Sequence, residues 1–259
     1  MSTLTVSFVQ SETRWHDPAA NRALFDRALA DVPTEAELVV LPEMFSTGFT
    51  MASREQAEPM DGPTVAWLRE RAAQRGQVLT GSVVIEEGGA YWNRLLWVTP
   101  AGDVTSYDKR HRFRMAGEHE HYSAGSARVV VRLGAVRVLL AVCYDLRFPV
   151  FARNRNDFDL YLIVANWPAA RQSHWDTLLR ARAIENQAFV VGVNRVGTDG
   201  NEVAYGGGSA AIDFQGEPLV APGDAAGVFT ARLDLAALAD YRGAFPAWQD
   251  ADDFTLATD

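Results

Sequence analysis

RVVVRLGAVRVLLAVCYD, residues 128–145, reads as two apolar strands turning near Gly134, and the second runs straight into the only cysteine of the 259-residue chain, Cys143. Free cysteine is among the most buried residue types, so a lone Cys closing an apolar strand is ordinarily a core residue. The residues that follow it in CYDLRFP, with Tyr144, Asp145 and Arg147, leave a second reading open: a nucleophile presented at a strand end.

Upstream of this hairpin, LTVSFVQ (4–10) reads as a strand, and ANRALFDRALADV (20–32) spaces Ala23, Leu24, Ala28 and Val32 as a helix does. AELVVLPE (36–43) is a short continuous apolar run, as expected of a strand buried on both faces. Pro63 opens a helix through TVAWLRERAAQRG that Gly76 closes. VLTGSVVIEE, YWNRLLWVTP and DVTSYDKR form a meander, with Gly88-Gly89 and Ala101-Gly102 at the turns.

Downstream, FPVFARNRND (148–157) has a helical pattern and DLYLIVANWP (159–168) is another buried strand. SHWDTLLRARAIENQ (173–187) is a helix leading into the strand AFVVGVNRVG. GSAAIDFQGEPLVAP and GVFTARLDL are late strands, followed by a polar tail after Trp248. Helices and strands alternate early and strands run consecutively in the middle, which predicts an α/β fold with mixed pairing, a single domain over 1–259.

A hydrophobic content of 48% against 22% charged residues is enough to bury a sizeable core. The net charge of −9 and the lack of a basic tract argue against a nucleic-acid partner. One cysteine cannot form an internal disulfide, which fits a reducing compartment. MSTLTVSFVQ lacks the charged and apolar regions of a leader, and no apolar stretch approaches membrane-spanning length, so the expectation is a cytoplasmic protein without a membrane partner.

Three reactive side chains share a position. Glu43 follows LVVLP, Lys109 follows VTSYD and Cys143 follows VLLAV, each at or just past a strand end, where open sheets bring distant residues together. Taken singly, Glu43 is a solvated strand end and Lys109 belongs to a surface basic patch, DKRHRFR. Taken jointly, they make a covalent hydrolase: the thiol attacks, the carboxylate relays its proton, and the ammonium stabilises thiolate and oxyanion. A nearby Lys lowers a thiol pKa, whereas apolar burial raises it.

LVVLPEMFSTGF, SYDKRHRFRMAGEHEHYSAG and LLAVCYDLRFP, in that order, resemble the three catalytic blocks of the nitrilase (carbon–nitrogen hydrolase) superfamily, and the resemblance runs from VSFVQ through ARAIENQAFVVGVNR to GSAAIDFQGE. It implies a four-layer αββα sandwich with mixed β-sheets, paired into a homodimer, and a Glu–Lys–Cys triad needing neither metal nor cofactor. Carried onto this chain, Glu43 is the general base, Lys109 the oxyanion partner and Cys143 the nucleophile. A second family glutamate falls before the SAG turn at 123–125; Glu118 aligns best, with Glu120 competing.

CYDLRFP, PEMFSTGF and NWP (166–168) are similar to the bacterial ω-amidase branch, which implies a small-molecule substrate: the terminal amide of a 2-oxo dicarboxylic acid monoamide, 2-oxoglutaramate or 2-oxosuccinamate. The Tyr144 N–H would then be an oxyanion donor. Arg147 or Arg171 would bind the substrate carboxylate, and Phe45, Tyr144 and Trp167 would wall the pocket.

Three other readings stand beside this one. EHEHY (118–122) supplies His119 and His121 for a metal-dependent hydrolase, yet a spaced third ligand and HExxH are lacking. A Cys–His protease using His174 lacks a family sequence around Cys143. A catalytically silent interaction protein would have lost Glu43, Lys109 or Cys143. Phe148, Phe151, Trp175 and Leu178 could form a dimer surface or be buried within one subunit.

Overall fold

Residues 3–256 are described by the structure, a computed structural model. Strands β1 (Thr3–Gln10), β2 (Leu38–Val40), β3 (Val78–Glu87), β4 (Ala90–Val98) and β5 (Val104–Asp108) build one sheet. Strands β6 (Val130–Leu133), β7 (Val136–Val142), β8 (Leu160–Val164) and β9 (Phe189–Val193) begin a second. After a small ribbon of β10 (Val196–Thr198) and β11 (Ala204–Gly206), β12 (Ala210–Ile212) and β13 (Pro218–Val220) extend the second sheet. The chain then crosses back, and β14 (Gly227–Asp234) pairs antiparallel with β1 along its whole length.

Both sheets are mixed. β1–β2–β3 and β7–β8–β9 pair in parallel, and every other neighbour in the two sheets is antiparallel. In each sheet the parallel strands lie in the interior of the strand order, with antiparallel strands at both edges.

Strand periodicity sorts the side chains into layers. Leu4, Val6, Phe8, Leu38, Val40, Leu95 and Trp97 point inward and join Val138, Leu140, Val142 and Leu160 in one core. Val9, Val39, Leu41, Leu79, Leu96 and Val98 point outward and meet the helices, chiefly Phe25 and Leu29 of α1 (Pro18–Ala30). After a single turn, α2 (Ser53–Gln56), the longer α3 (Pro63–Arg75) adds Val65, Trp67, Leu68 and Ala72 to that outer layer. Gly76 closes α3 in a left-handed conformation, φ 66°, as the sequence predicts.

Beyond the one-turn α4 (Glu118–His121), α5 (Gln172–Asn186) covers the second sheet with Trp175, Leu179 and Ala183. Gly192 of β9 permits this approach, since a Cβ there would lie 2.7 Å from Leu179. The architecture is the expected four-layer αββα sandwich. Among the described residues no helix is long and apolar enough to cross a membrane.

Three expectations need revision. Residues 148–157 are turns, not a helix, because the Asn154 carboxamide oxygen accepts from the N–H groups of Asp157 and Phe158 at 3.0 and 3.3 Å, and such local bonds compete with helix formation. Only Leu38–Val40 of the 36–43 run is a strand. The helix α6 (Leu235–Ala244) was not expected; Asp234 caps it by accepting from Ala236 and Ala237, and that Asp before an Ala/Leu run was the available signal. Trp175 and Phe151 are buried within this chain, and Phe148 and Leu178 pack partly buried on the same core.

Candidate active site

Three strand ends converge between the sheets. β2 leads through Leu41 and Pro42 to Glu43, whose neighbour Met44 turns left-handed (φ 42°) and donates its N–H to Ser82 Oγ at 2.8 Å. Lys109 is the first residue after β5, its N–H bonded to the Asn93 carbonyl. Cys143 is the first residue after β7 and opens a 3-10 turn, Cys143–Arg147, at φ 47°. A left-handed φ at a residue with a Cβ is a strained conformation that surrounding structure must hold.

Asp145 holds it. This fully buried carboxylate accepts from the Val142 N–H at 2.9 Å, from the Tyr107 hydroxyl at 2.7 Å and from the His111 N–H at 3.0 Å. His111 Nδ1 is a further partner at 2.7 Å. Tyr107 and His111 flank Lys109 in sequence, so Asp145 couples the Lys109 segment to the turn that carries the thiol.

The charged centre is dry. Lys109 Nζ donates to Glu43 Oε1 and to both Glu118 oxygens, each at 2.9 Å, with Lys109 1% and both carboxylates 0% exposed. Asn93 Nδ2 bridges the same two carboxylates, at 2.7 Å to Glu43 and 3.2 Å to Glu118, while its own oxygen accepts from Ser82. Glu43 Oε2 accepts from the backbone N–H of Asn166 at 2.7 Å. Glu118 also accepts from the Phe113 N–H. Glu120, the competing glutamate, is exposed on the far side of α4 and lies 3.8 Å from His119.

Burial opposes the Lys109 charge, but Glu118, Glu43 and the Cys143 sulfur outweigh it and hold the ammonium well above its ordinary pKa. Burial, then the negative charge of Glu43, pushes the Cys143 thiol well up, against the opposing pull of Lys109. Burial also raises Glu118, with Lys109 opposing and Glu43 adding to the rise. Lys109 thus favours a thiolate as expected, but desolvation and two carboxylates outweigh that one cation, and the net effect keeps the proton on the sulfur. The Cys143 Sγ lies 3.9 Å from the Asn166 carbonyl oxygen, and the negative charge of Glu43 acts on it. This arrangement suits a base that takes the proton as the sulfur attacks.

A narrow pocket of about 30 Å³ includes Cys143 and Asn166 in its wall. Phe49, Phe113, Tyr144, Trp167, Arg147 and Arg171 also line it. The Arg147 guanidinium lies 4.9 Å from the Trp167 ring centroid and that of Arg171 lies 5.2 Å from Phe113. Phe45 is a correction: it is fully buried in the outer core, edge-on to Phe25 at 5.3 Å, and Phe49 takes the wall position instead. The tight Met44 turn sends the two aromatics to opposite sides.

Asn93, Asp145 and His111 did not emerge from the sequence, and Asn166 emerged only as part of NWP. A polar Asn inside the apolar run YWNRLLWV was the signal for Asn93; Asp145 and His111 carried none that distinguishes them from loop residues. Among the described residues no group of three His, Cys, Asp or Glu could hold a metal ion.

Residues 5–243 match the carbon–nitrogen hydrolase family. The chain is 50% identical over 258 residues to the ω-amidase YafV of Escherichia coli strain K12, covering 99% of this chain and all of that one. It is 31% identical to a 2-oxoglutaramate amidase of Bacillus subtilis, covering 95% and 96% of the two chains. Among solved structures, XC1258 of Xanthomonas campestris, a CN-hydrolase superfamily protein with an arsenic adduct in its active site, superposes with a TM-score of 0.97 at 50% identity, covering 99% of this chain and 100% of that one.

Proposed function

The chain belongs to the carbon–nitrogen hydrolase family, and on that premise we propose that it is an ω-amidase, hydrolysing the terminal amide of 2-oxo dicarboxylic acid monoamides such as 2-oxoglutaramate and 2-oxosuccinamate to the acid and ammonia through a cysteine thioester. The observation that carries this reading is the dry Glu43–Lys109–Glu118 cluster acting on the Cys143 thiol beside a pocket lined by two arginines.

In the proposed mechanism Cys143 Sγ attacks the amide carbonyl while Glu43 takes the thiol proton. This division of labour is supported by the raised thiol pKa, since a sulfur protonated at rest needs a base in the attack itself. Negative charge grows on the carbonyl oxygen, where the Tyr144 N–H and the Lys109 charge stabilise it. All three Lys109 contacts are to carboxylate oxygens, so the ammonium acts on the oxyanion mainly through its field.

The tetrahedral species collapses, the carbon–nitrogen bond breaks, and Glu43 returns its proton to the departing ammonia. Water then enters, gives a proton to Glu43 and attacks the thioester; collapse releases the carboxylic acid, and Glu43 re-protonates the sulfur. Glu118 positions Lys109, and Asn93 fixes the spacing of the two carboxylates. Arg147 and Arg171 bind the anionic 2-oxo acid end, each guanidinium lying over an aromatic ring. The reading extends to a homodimer in the cytoplasm, supported by the family resemblance and the single free thiol.

The test is ammonia release from 2-oxoglutaramate by the purified protein, with Cys143→Ala beside it. Release that disappears in the variant is the expected result. An intact protein that releases none removes the substrate assignment, and release that persists without the thiol removes the mechanism.

A further inference from the structure

Arg147 leaves the Cys143 turn two residues after Asp145 and enters the pocket without a carboxylate partner among the described residues. Its Nη2 lies 2.9 Å from Nδ1 of His174, and its guanidinium carbon lies 4.9 Å from the Trp167 ring centroid. A guanidinium has only donors, so this contact is a hydrogen bond only if His174 Nδ1 carries the lone pair and the ring proton sits on Nε2.

His174 sits in the first turn of α5, and its own placement is secured by its neighbour. Trp175 is fully buried, its Nε1–H donates to the Gly208 carbonyl at 2.7 Å, and its ring lies 5.4 Å from that of Trp167. Trp167 is anchored in turn, donating its indole N–H to the Arg171 carbonyl at 2.8 Å. The ring face under Arg147 and the nitrogen beside it thus hang on one packed tryptophan pair. Arginine carries a large rotamer entropy, and a side chain ordered before binding loses less of it when the ligand arrives.

We propose that His174 is a positioning residue that sets Arg147 for the substrate's anionic end. This rests on the reading that Arg147 binds the carboxylate of a 2-oxo acid amide. The bond leaves the remaining guanidinium N–H groups free for a carboxylate, and since neither residue holds a reacting atom, its loss is felt in substrate binding and not in bond breaking.

The experiment is a set of steady-state measurements of kcat and KM for 2-oxoglutaramate on the full chain as wild type, His174→Ala, His174→Asn, Arg147→Ala and the double variant Arg147→Ala/His174→Ala. The expected result is a KM about tenfold higher for His174→Ala with kcat within about twofold of wild type. His174→Asn, whose carboxamide oxygen replaces the Nδ1 acceptor, recovers most of the KM. In the Arg147→Ala background, His174→Ala adds nothing further, because the group it positions is gone.

Three results overturn the proposal. An unchanged KM in His174→Ala beside a raised KM in Arg147→Ala removes the positioning role and leaves the Arg147 reading intact. Additive effects in the double variant, or a fall in kcat that Asn does not restore, mean that His174 acts on the fold and not through Arg147. An unchanged KM in Arg147→Ala removes the carboxylate reading itself, and the proposal with it.

Discussion

Asn166 grips Glu43 at both ends of the residue. Its backbone N–H donates to Glu43 Oε2 at 2.7 Å, and its side-chain Nδ2 donates to the Glu43 carbonyl oxygen at 2.6 Å. Asn166 follows β8 in the second sheet and Glu43 follows β2 in the first, so the pair ties the two sheets together at the site. Asn166→Ala keeps the backbone bond and loses the side-chain bond. The expected result is a kcat lower by about 10²-fold, the scale of a misplaced catalytic group, with a stability loss of about 1–3 kcal/mol from the orphaned carbonyl. Kinetics and denaturant melts check it, and an unaltered kcat would refute the tether.

Lys109→Met leaves Glu43 and Glu118 facing each other in a dry site. Breaking a buried charge pair from one side costs about 3–5 kcal/mol, and urea titration should read a loss of that size. Adding Glu118→Gln removes one of the stranded charges, so the double variant should regain stability without regaining activity. A single variant that melts like wild type would mean that water reaches the carboxylates.

Gly125 lies against the end of β5. Its N–H donates to the Lys109 carbonyl at 3.0 Å, and a Cβ built on it would meet the Asp108 carbonyl oxygen at 2.0 Å. Backbone oxygen cannot swing away as a side chain does, so Gly125→Ala must displace the segment that carries Lys109. Overpacking of this kind destabilises by about 1–3 kcal/mol or more, and kcat should fall with it. Wild-type activity in a stably folded Gly125→Ala protein would contradict the close approach.

The raised Cys143 pKa predicts a pH dependence of stability. In the unfolded chain the thiol ionises near its usual pKa of about 8.5; in the folded chain burial and Glu43 keep the proton on. The contribution from this group is thus fully present below about pH 8.5 and is lost as pH rises, by up to about 1.4 kcal/mol per pH unit, until the folded thiol also ionises. Cys143→Ala lacks this loss. Chemical denaturation of both proteins between pH 7 and 10 should show the variant gaining relative stability as pH rises, and parallel curves would refute the shift.

The reactive residues were legible as a set because each follows closely on a strand and lies in a motif that resembles a catalytic block of the family. Glu43, Lys109 and Cys143 each stand at or just past the end of a strand, and that position is visible in one dimension. The long helices and the meander were legible through periodicity and through Pro63 and Gly76. Residues 148–157 misled because their apolar spacing suits a helix while Asn154 supplies competing bonds to the local backbone. Phe45 misled because nearness to Glu43 in sequence says nothing about which side of the Met44 turn a ring takes.

What the amino-acid sequence by itself determined was the α/β class with mixed pairing and the order of most elements, since these follow from burial periodicity and from residue type; Glu43, Lys109 and Cys143 were marked out as a candidate triad by the resemblance of three motifs to the carbon–nitrogen hydrolase family. Only the tertiary structure decided which groups hold those side chains in place and what state they rest in. Asn93, Asp145 and Asn166 act through sets of hydrogen bonds that reach other segments of the chain, and such bonds leave no periodic trace. The protonated thiol of Cys143 was decided there as well, because a pKa is set by the balance of desolvation and neighbouring charge in three dimensions, and in this site burial and Glu43 outweigh Lys109.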